Sequence, residues 1–323
     1  MTISASRRAV LIVCLAAPRV ARSQGSFPGS RPVSLVIPYA PGGIPDVFGS
    51  AINQGFAERL GGTFVMDHRP GASTTLGARQ VARARPDGYT LLFGGIGTFT
   101  LTPLVLRNAG YDPLTDFTPI GMSGSALYLF VANPRWMSLE AILRAARQQP
   151  NGISYASWGV GSSAHLGTVD LAQRARVEMV HVPYNGTAAA LTDIAAGRVD
   201  FMISTLAPAR PHLDGGRIRA IGVCTARRFR MLPNVPTVGE QGFTDYTLDN
   251  WTAVVGPAGL RDDIAGALEA ALAETFASEA LLARLEPLGI TGAPTGARAL
   301  REQIPRDLAQ HRELVQRAGI TPV

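Results

Sequence analysis

Val33-Ser34-Leu35-Val36-Ile37-Pro38, followed by Tyr39-Ala40-Pro41-Gly42-Gly43-Ile44-Pro45-Asp46, decides how this 323-residue sequence folds. The first six residues form a continuous apolar run, the pattern of a strand buried on both faces of a sheet. After the glycine turn, Phe48, Ile52, Phe56 and Leu60 recur every fourth residue, which predicts a helix packing one face until Gly61-Gly62 stops it. Glycines at such a strand-to-helix turn let a ligand approach the backbone, and free N–H groups at the helix start attract an anion. Taken alone, the turn fits a tight connection capped by Asp46 equally well.

The same unit recurs along the chain. Short apolar strands are expected at 63–66, 89–93, 127–132, 153–156, 179–182, 201–203, 218–223 and 252–255, with helices at 138–148, 165–175 and 188–196. Alternation of this kind gives an α/β protein with a parallel or mixed sheet flanked by helices. About nine strands exceed one ordinary sheet, so two α/β lobes are expected. Beyond Pro257 the pattern predicts helices at 265–285 and 297–317 and no strand, with His311 packed or half-exposed on the second helix.

Three further turns repeat the design of the first. Ser157-Trp158-Gly159-Val160-Gly161-Ser162-Ser163-Ala164-His165 loosely fits a dinucleotide fingerprint, but the acid expected about 20 residues on falls only at Glu178, before the next strand ends. It is not a Gly-x-Ser-x-Gly elbow either, and Ser163 and His165 in one helical turn point apart. Its hydroxyls and N–H groups make better sense converging on an anion. Tyr184-Asn185-Gly186-Thr187 and Gly94-Gly95-Ile96-Gly97-Thr98 repeat the arrangement, and in open α/β sheets such loops gather ligands at the carboxyl ends of strands. The five histidines show no pair at metal-ligand spacing, and no pair of catalytic carboxylates stands out. Neither an enzyme nor a bound cofactor or metal is expected.

Charge and composition narrow the partners. The net charge of +6 resides largely in residues 1–23, which hold Arg7, Arg8, Arg19 and Arg22 and no acid. The remainder carries 26 basic against 24 acidic residues, dispersed, which argues against nucleic acid as a partner. All 30 basic residues are arginine, so lysine Schiff-base chemistry is excluded. Residues 1–23 have the basic, apolar and small-x-small regions of a cleaved secretory signal. Cleavage would leave Cys224 as the single cysteine, read here as a small core residue.

Arg31-Pro32-x-x-Leu35-Val36-Ile37-Pro38-Tyr39-Ala40-Pro41-Gly42-Gly43-x-x-Asp46 resembles the opening of the Bug family, periplasmic solute receptors of tripartite tricarboxylate transporter systems. The likeness continues through His68-Arg69-Pro70-Gly71-Ala72, Pro86-Asp87-Gly88-Tyr89-Thr90-Leu91, Tyr111-Asp112-Pro113-Leu114-x-Asp116-Phe117, His181-Val182-Pro183-Tyr184-x-Gly186 and Leu232-Pro233-Asn234-Val235-Pro236-Thr237. The resemblance implies a periplasmic-binding-protein-like fold of two α/β lobes joined by a double crossover. Residues 24–125 and 252–323 would form one lobe and 126–251 the other, behind a signal at 1–23. It implies a periplasmic monomer that captures a small carboxylated solute without catalysis and delivers it to membrane permease subunits. A receptor presenting its ligand to a sensor kinase is the alternative. Carried over by position, Tyr39, Ala40, Gly43, Asp46, Gly97 and Thr98 would serve from the first lobe. Ser162, Ser163, His165, Gly186, Thr187 and Ala188 would serve from the second, with Trp158, Tyr184 and Ser204 beside them. The sequence departs from the family pattern at Ile44-Pro45, Trp158, Ala164, Asn185 and Ser204-Thr205. Fewer hydroxyls and one added large ring favour a solute smaller or more apolar than citrate.

Overall fold

The computed structural model describes residues 27–322; the secretory signal expected at 1–23 lies outside them. The elements are β1 (Val33–Ile37), α1 (Ile44–Leu60), β2 (Phe64–His68), α2 (Thr75–Ala82), β3 (Thr90–Gly95), α3 (Thr102–Val105), β4 (Phe117–Ala126), β5 (Tyr128–Ala132), α4 (Leu139–Gln148), β6 (Ser154–Ser157), α5 (Ser163–Ala175), β7 (Val180–Pro183), α6 (Thr187–Ala195), β8 (Phe201–Thr205), α7 (Leu206–Asp214), β9 (Arg219–Val223), β10 (Trp251–Pro257), α8 (Asp262–Phe276), α9 (Glu279–Leu285), β11 (Ile290–Gly296) and α10 (Ala297–Arg317). They build two mixed sheets, six strands ordered β11-β4-β10-β3-β1-β2 and five ordered β7-β6-β8-β5-β9.

β1 pairs in parallel with β2 and β3, so the turns that follow these strands open at one edge of the six-stranded sheet. In the second sheet β6 lies parallel to β7 and β8, and its three turns likewise share one edge. Each sheet is covered on both faces, as continuous apolar strands require. Phe48, Phe56, Phe93 and Phe276 fill one face of the first sheet, and Phe99, Trp251, Leu300 and Val315 the other. Phe130, Tyr155, Phe201 and Tyr246 occupy one face of the second, and Leu129, Ala156, Ile194 and Met202 the other.

The chain passes between the lobes twice. It leaves the first sheet at Ala126 and enters the second at Tyr128, with the Leu127 N–H donating to the Gly289 carbonyl at 2.7 Å. It returns after β9, re-entering the first sheet at Trp251.

The C-terminal region corrects one expectation. Ile290–Gly296 is a strand, pairing antiparallel with β4 at the sheet's edge. Its glycines and Pro294 hide the strand signal, and the pairing skips residues between Gly292 and Thr295, where proline is tolerated. Phe117–Ala126, with Pro119, Gly121 and Gly124, escapes sequence reading for the same reason. The helix expected over 265–285 is two, because Ser278 starts a new one by accepting the Leu281 N–H. Cys224 is buried in the core and free, as expected.

Candidate functional site

In the first lobe the turn after β1 is held by its own side chains. Asp46 is not the cap of α1; that position is Gly43, and Asp46 sits inside the first turn. One of its carboxylate oxygens accepts from the Gly42 N–H, and the other lies 2.6 Å from His68 Nε2 at the end of β2. Burial pushes the Asp46 carboxyl up, but the bonds from His68 and Gly42 outweigh it and lower its pKa. Both oxygens are thereby engaged in shaping the loop. Ala40 and Gly43 are exposed. Pro45 has no N–H to give, so this helix start offers fewer donors than usual.

The neighbouring turn supports the first. Tyr39 Oη lies 3.1 Å from the Thr98 hydroxyl, and the Tyr111 hydroxyl donates to the Thr98 carbonyl. Thr98 is fully buried, whereas Gly97 is half-buried at the start of the helical turn Gly97–Leu101. Burial raises the Tyr39 phenol's pKa, keeping it a neutral donor.

The second lobe contributes three helix starts. Ser162 caps α5: its hydroxyl donates to the Gly159 carbonyl at 2.6 Å and accepts the His165 N–H at 3.3 Å. His165 Nδ1 accepts the Gly161 N–H at 3.1 Å, so the neutral ring carries its proton on Nε2. That ring stacks on His181 at 3.9 Å between centroids, and Tyr155 stacks on His181 at 5.0 Å. Burial, aided by His181, brings the His165 pKa down to about 4, and the neutral ring that results is the form that can accept the Gly161 N–H. Ser157 Oγ bonds His181 Nε2 at 2.7 Å and anchors the stack to the end of β6. The sequence places these histidines 16 residues apart, and only the parallel pairing of β6 with β7 reveals that they meet.

At the start of α6, Gly186 has φ +117°, a left-handed conformation that L side chains rarely adopt, and a Cβ there would meet open space. Thr187 is half-buried and Ala188 exposed beside it. Tyr184 spends its hydroxyl on Asp193 at 2.6 Å, leaving its ring as wall rather than donor. Ser204 is fully buried and gives its hydroxyl to the Thr205 carbonyl. Thr205, marked in the sequence only as a departure from the family pattern, stands half-buried at the start of α7, and its side chain caps no N–H.

Trp158 lies across the end of the second sheet, touching the apolar clusters of both its faces. Its ring stacks on Tyr128 at 5.9 Å. Burial pushes the Tyr128 phenol up, a bond with Ser163 pulls it back, and Tyr39 of the other lobe raises it further. Tyr128 was invisible to motif reading because it sits inside an apolar strand, and it brings the two lobes' residues face to face. Gly161 marks a second meeting: a Cβ on it would fall 2.9 Å from Val105 of the first lobe. Residues of the two lobes thus approach each other at Tyr39 and Tyr128 and at Val105 and Gly161. None of the expected residues is Lys or Arg and His165 is held neutral, so an anion here would be met by N–H dipoles and hydroxyls. Among the described residues, no group of three or more His, Cys, Asp or Glu is placed to hold a metal.

The family model described as the tripartite tricarboxylate transporter family receptor matches residues 49–320. A Pseudomonas sp. (strain P51) protein, the UPF0065 protein in the tcbD-tcbE intergenic region, is 34% identical over 275 residues, covering 83% of this chain and 81% of its own. The structure of R. palustris Rpa4515 with adipate superposes with a TM-score of 0.85 at 32% identity, covering 92% of this chain and all of that one. The periplasmic binding protein BugD superposes at 0.80 with 29% identity, over 90% of this chain and 99% of its own. The chain thus belongs to the receptor family of the tripartite tricarboxylate transporters, the Bug-type solute-binding proteins.

Proposed function

We propose that this protein is a periplasmic receptor, exported by a signal at residues 1–23. Its lobes, 24–125 with 252–323 and 126–251, shut on a small carboxylated solute and deliver it to membrane permease subunits. The observation that supports the reading is that both sheets feed turns, most of them glycine-rich, into helix starts without Lys or Arg, β1 into α1 and β6, β7 and β8 into α5, α6 and α7, with the lobes touching at Gly161 and Val105. Such an arrangement stabilises a carboxylate by dipoles and hydrogen bonds without fixed cations. Rpa4515, solved with adipate, supports the ligand class.

In this reading the backbone of Ala40 and Gly43, with Gly97 and Thr98, receives one end of the solute. Ser162, Ser163, Gly186, Thr187, Ala188 and, in addition, Thr205 receive the other. Asp46, Tyr184 and Ser204 hold the loops, because their polar atoms already have partners, and His165 holds its loop through Nδ1. Trp158 and Tyr39 supply apolar surface, which favours a solute with an apolar body over one bearing several carboxylates. The protein binds and releases; it does not turn its ligand over.

Thermal unfolding in the presence of a panel of organic acids tests this. A ligand at 100 times its dissociation constant adds about 2.7 kcal/mol to stability. Stabilisation by mono- or dicarboxylates with apolar bodies is expected. A panel in which no carboxylate stabilises the protein overturns the reading.

A further inference from the structure

α5 starts in the cleft and then runs along the flank where the lobes meet. Leu166, Asp170 and Gln173 recur at helical spacing on one face, and that face turns toward the other lobe. Leu166 is 1% exposed and packs among Val105, Leu314 and Val315 of the first lobe. One turn on, Asp170 accepts from Arg317 at 3.0 Å, and Gln173 Nε2 donates to the Arg317 carbonyl at 2.6 Å.

Arg317 ends α10. Upstream on that helix, Asp307 accepts the Trp251 indole N–H at 2.6 Å, where the chain returns to the first sheet. His311 Nδ1 bonds Thr100 at 2.8 Å, in the turn that carries Gly97 and Thr98. One helix thus touches the crossover, the first lobe's binding turn and, at its tip, the second lobe.

We propose that Asp170 and Arg317 are positioning residues of the binding site, a clasp that biases the lobes toward the shut arrangement even without solute and holds the start of α5 against the solute. The proposal rests on the receptor reading above. Asp170 is suited to a bond that breaks and reforms. Arg174, one turn away, bonds its other oxygen at 2.8 Å, so the carboxylate keeps a cation when Arg317 leaves. A second ion pair between the lobes, Arg230 with Glu286, behaves differently. Glu286 opens the short turn leading to Gly289, whose carbonyl receives the crossover's Leu127 N–H, so its partners stay together as the lobes part.

Two measurements on the mature chain test the clasp, with adipate as probe. Arg317→Met is expected to raise the radius of gyration of the ligand-free protein in solution scattering. It is also expected to speed adipate release roughly tenfold with little change in association, within the usual range of coupling energies. Arg317→Lys should restore both, and Arg230→Met should alter neither. An Arg317→Met protein with unchanged scattering and release overturns the clasp. If the unaltered protein holds no adipate, the solute reading loses its probe, and unchanged scattering of Arg317→Met still decides against the clasp on its own.

Discussion

The two sides of the cleft solve one problem differently. The first lobe presents a helix start whose loop is braced from within, by Asp46 to Gly42 and His68 and by Tyr39 to Thr98. The second presents three helix starts, two of them behind glycines, Gly159 and Gly186, that face open space, beside Trp158 stacked on Tyr128. A braced loop fixes where a carboxylate sits, whereas an open set of donors beside an aromatic pair decides which body it carries. Preorganisation on one side and adaptability on the other is an economical route to a family of related ligands.

Glycine replacement gives the largest contrast. Gly186→Val forces a branched residue to φ +117°, which costs about 1–3 kcal/mol of strain. It also covers the N–H groups of α6, so stability and binding should both fall. Gly43 has φ −113°, which any residue adopts, and its Cβ would touch only Pro45 Cδ at 3.3 Å. Gly43→Val should therefore lose binding with little loss of thermal stability. Equal losses of stability in the two variants would remove the distinction between the lobes.

pH separates the sides next. The His165 pKa falls from 6.5 in the unfolded chain to about 4 in the folded protein. Between those values the unfolded state holds more protons, so stability is full above about pH 6.5 and declines as pH falls toward 4. His181, also lowered by burial, acts in the same direction. The Asp46 carboxyl is lowered too, but it is an acid: its contribution is present above its unfolded value of 3.8 and disappears below it. His165→Gln should flatten the unfolding temperature between pH 6.5 and 4, and Asp46→Asn should leave that slope intact.

What the sequence reveals follows from burial. β1 and β5 are legible because a strand covered on both faces must be apolar throughout. β4 and β11 are not, because glycine and proline serve an irregular edge pairing that only the partner strand explains. The loops of the site are legible by their glycines, but the commitments of their side chains are not. Asp46 meets His68 across 22 residues, and Arg317 meets Asp170 across 147. Tyr128 looks like one more core residue until its strand is seen to start beside Trp158.

Trp158→Ala should act on selectivity more than on stability. The ring is half-exposed, so its loss should cost less than the roughly 3–5 kcal/mol of a fully buried aromatic. Removing it opens space beside Tyr128, and calorimetry should show weaker binding of apolar carboxylates and stronger binding of bulkier, more polar ones. An unchanged order of affinities would show that the ring is only packing.

The smallest effects test whether a hydroxyl in the site is free or spent. Ser204 and Thr205 are adjacent on β8 and chemically alike, yet the Ser204 hydroxyl is bonded to the Thr205 carbonyl whereas the Thr205 side chain caps nothing. Deleting a hydroxyl that makes an internal hydrogen bond costs about 0.5–1.5 kcal/mol of stability, whereas deleting one that contacts only a solute costs affinity instead. Ser204→Ala should therefore lower the unfolding temperature slightly with binding intact. Thr205→Val, which keeps the branched shape, should leave the ligand-free protein as stable as before and weaken solute binding by a few-fold. Reversal of that pattern would place Ser204 against the solute and turn Thr205 away from it, moving the second lobe's contact by one residue along β8.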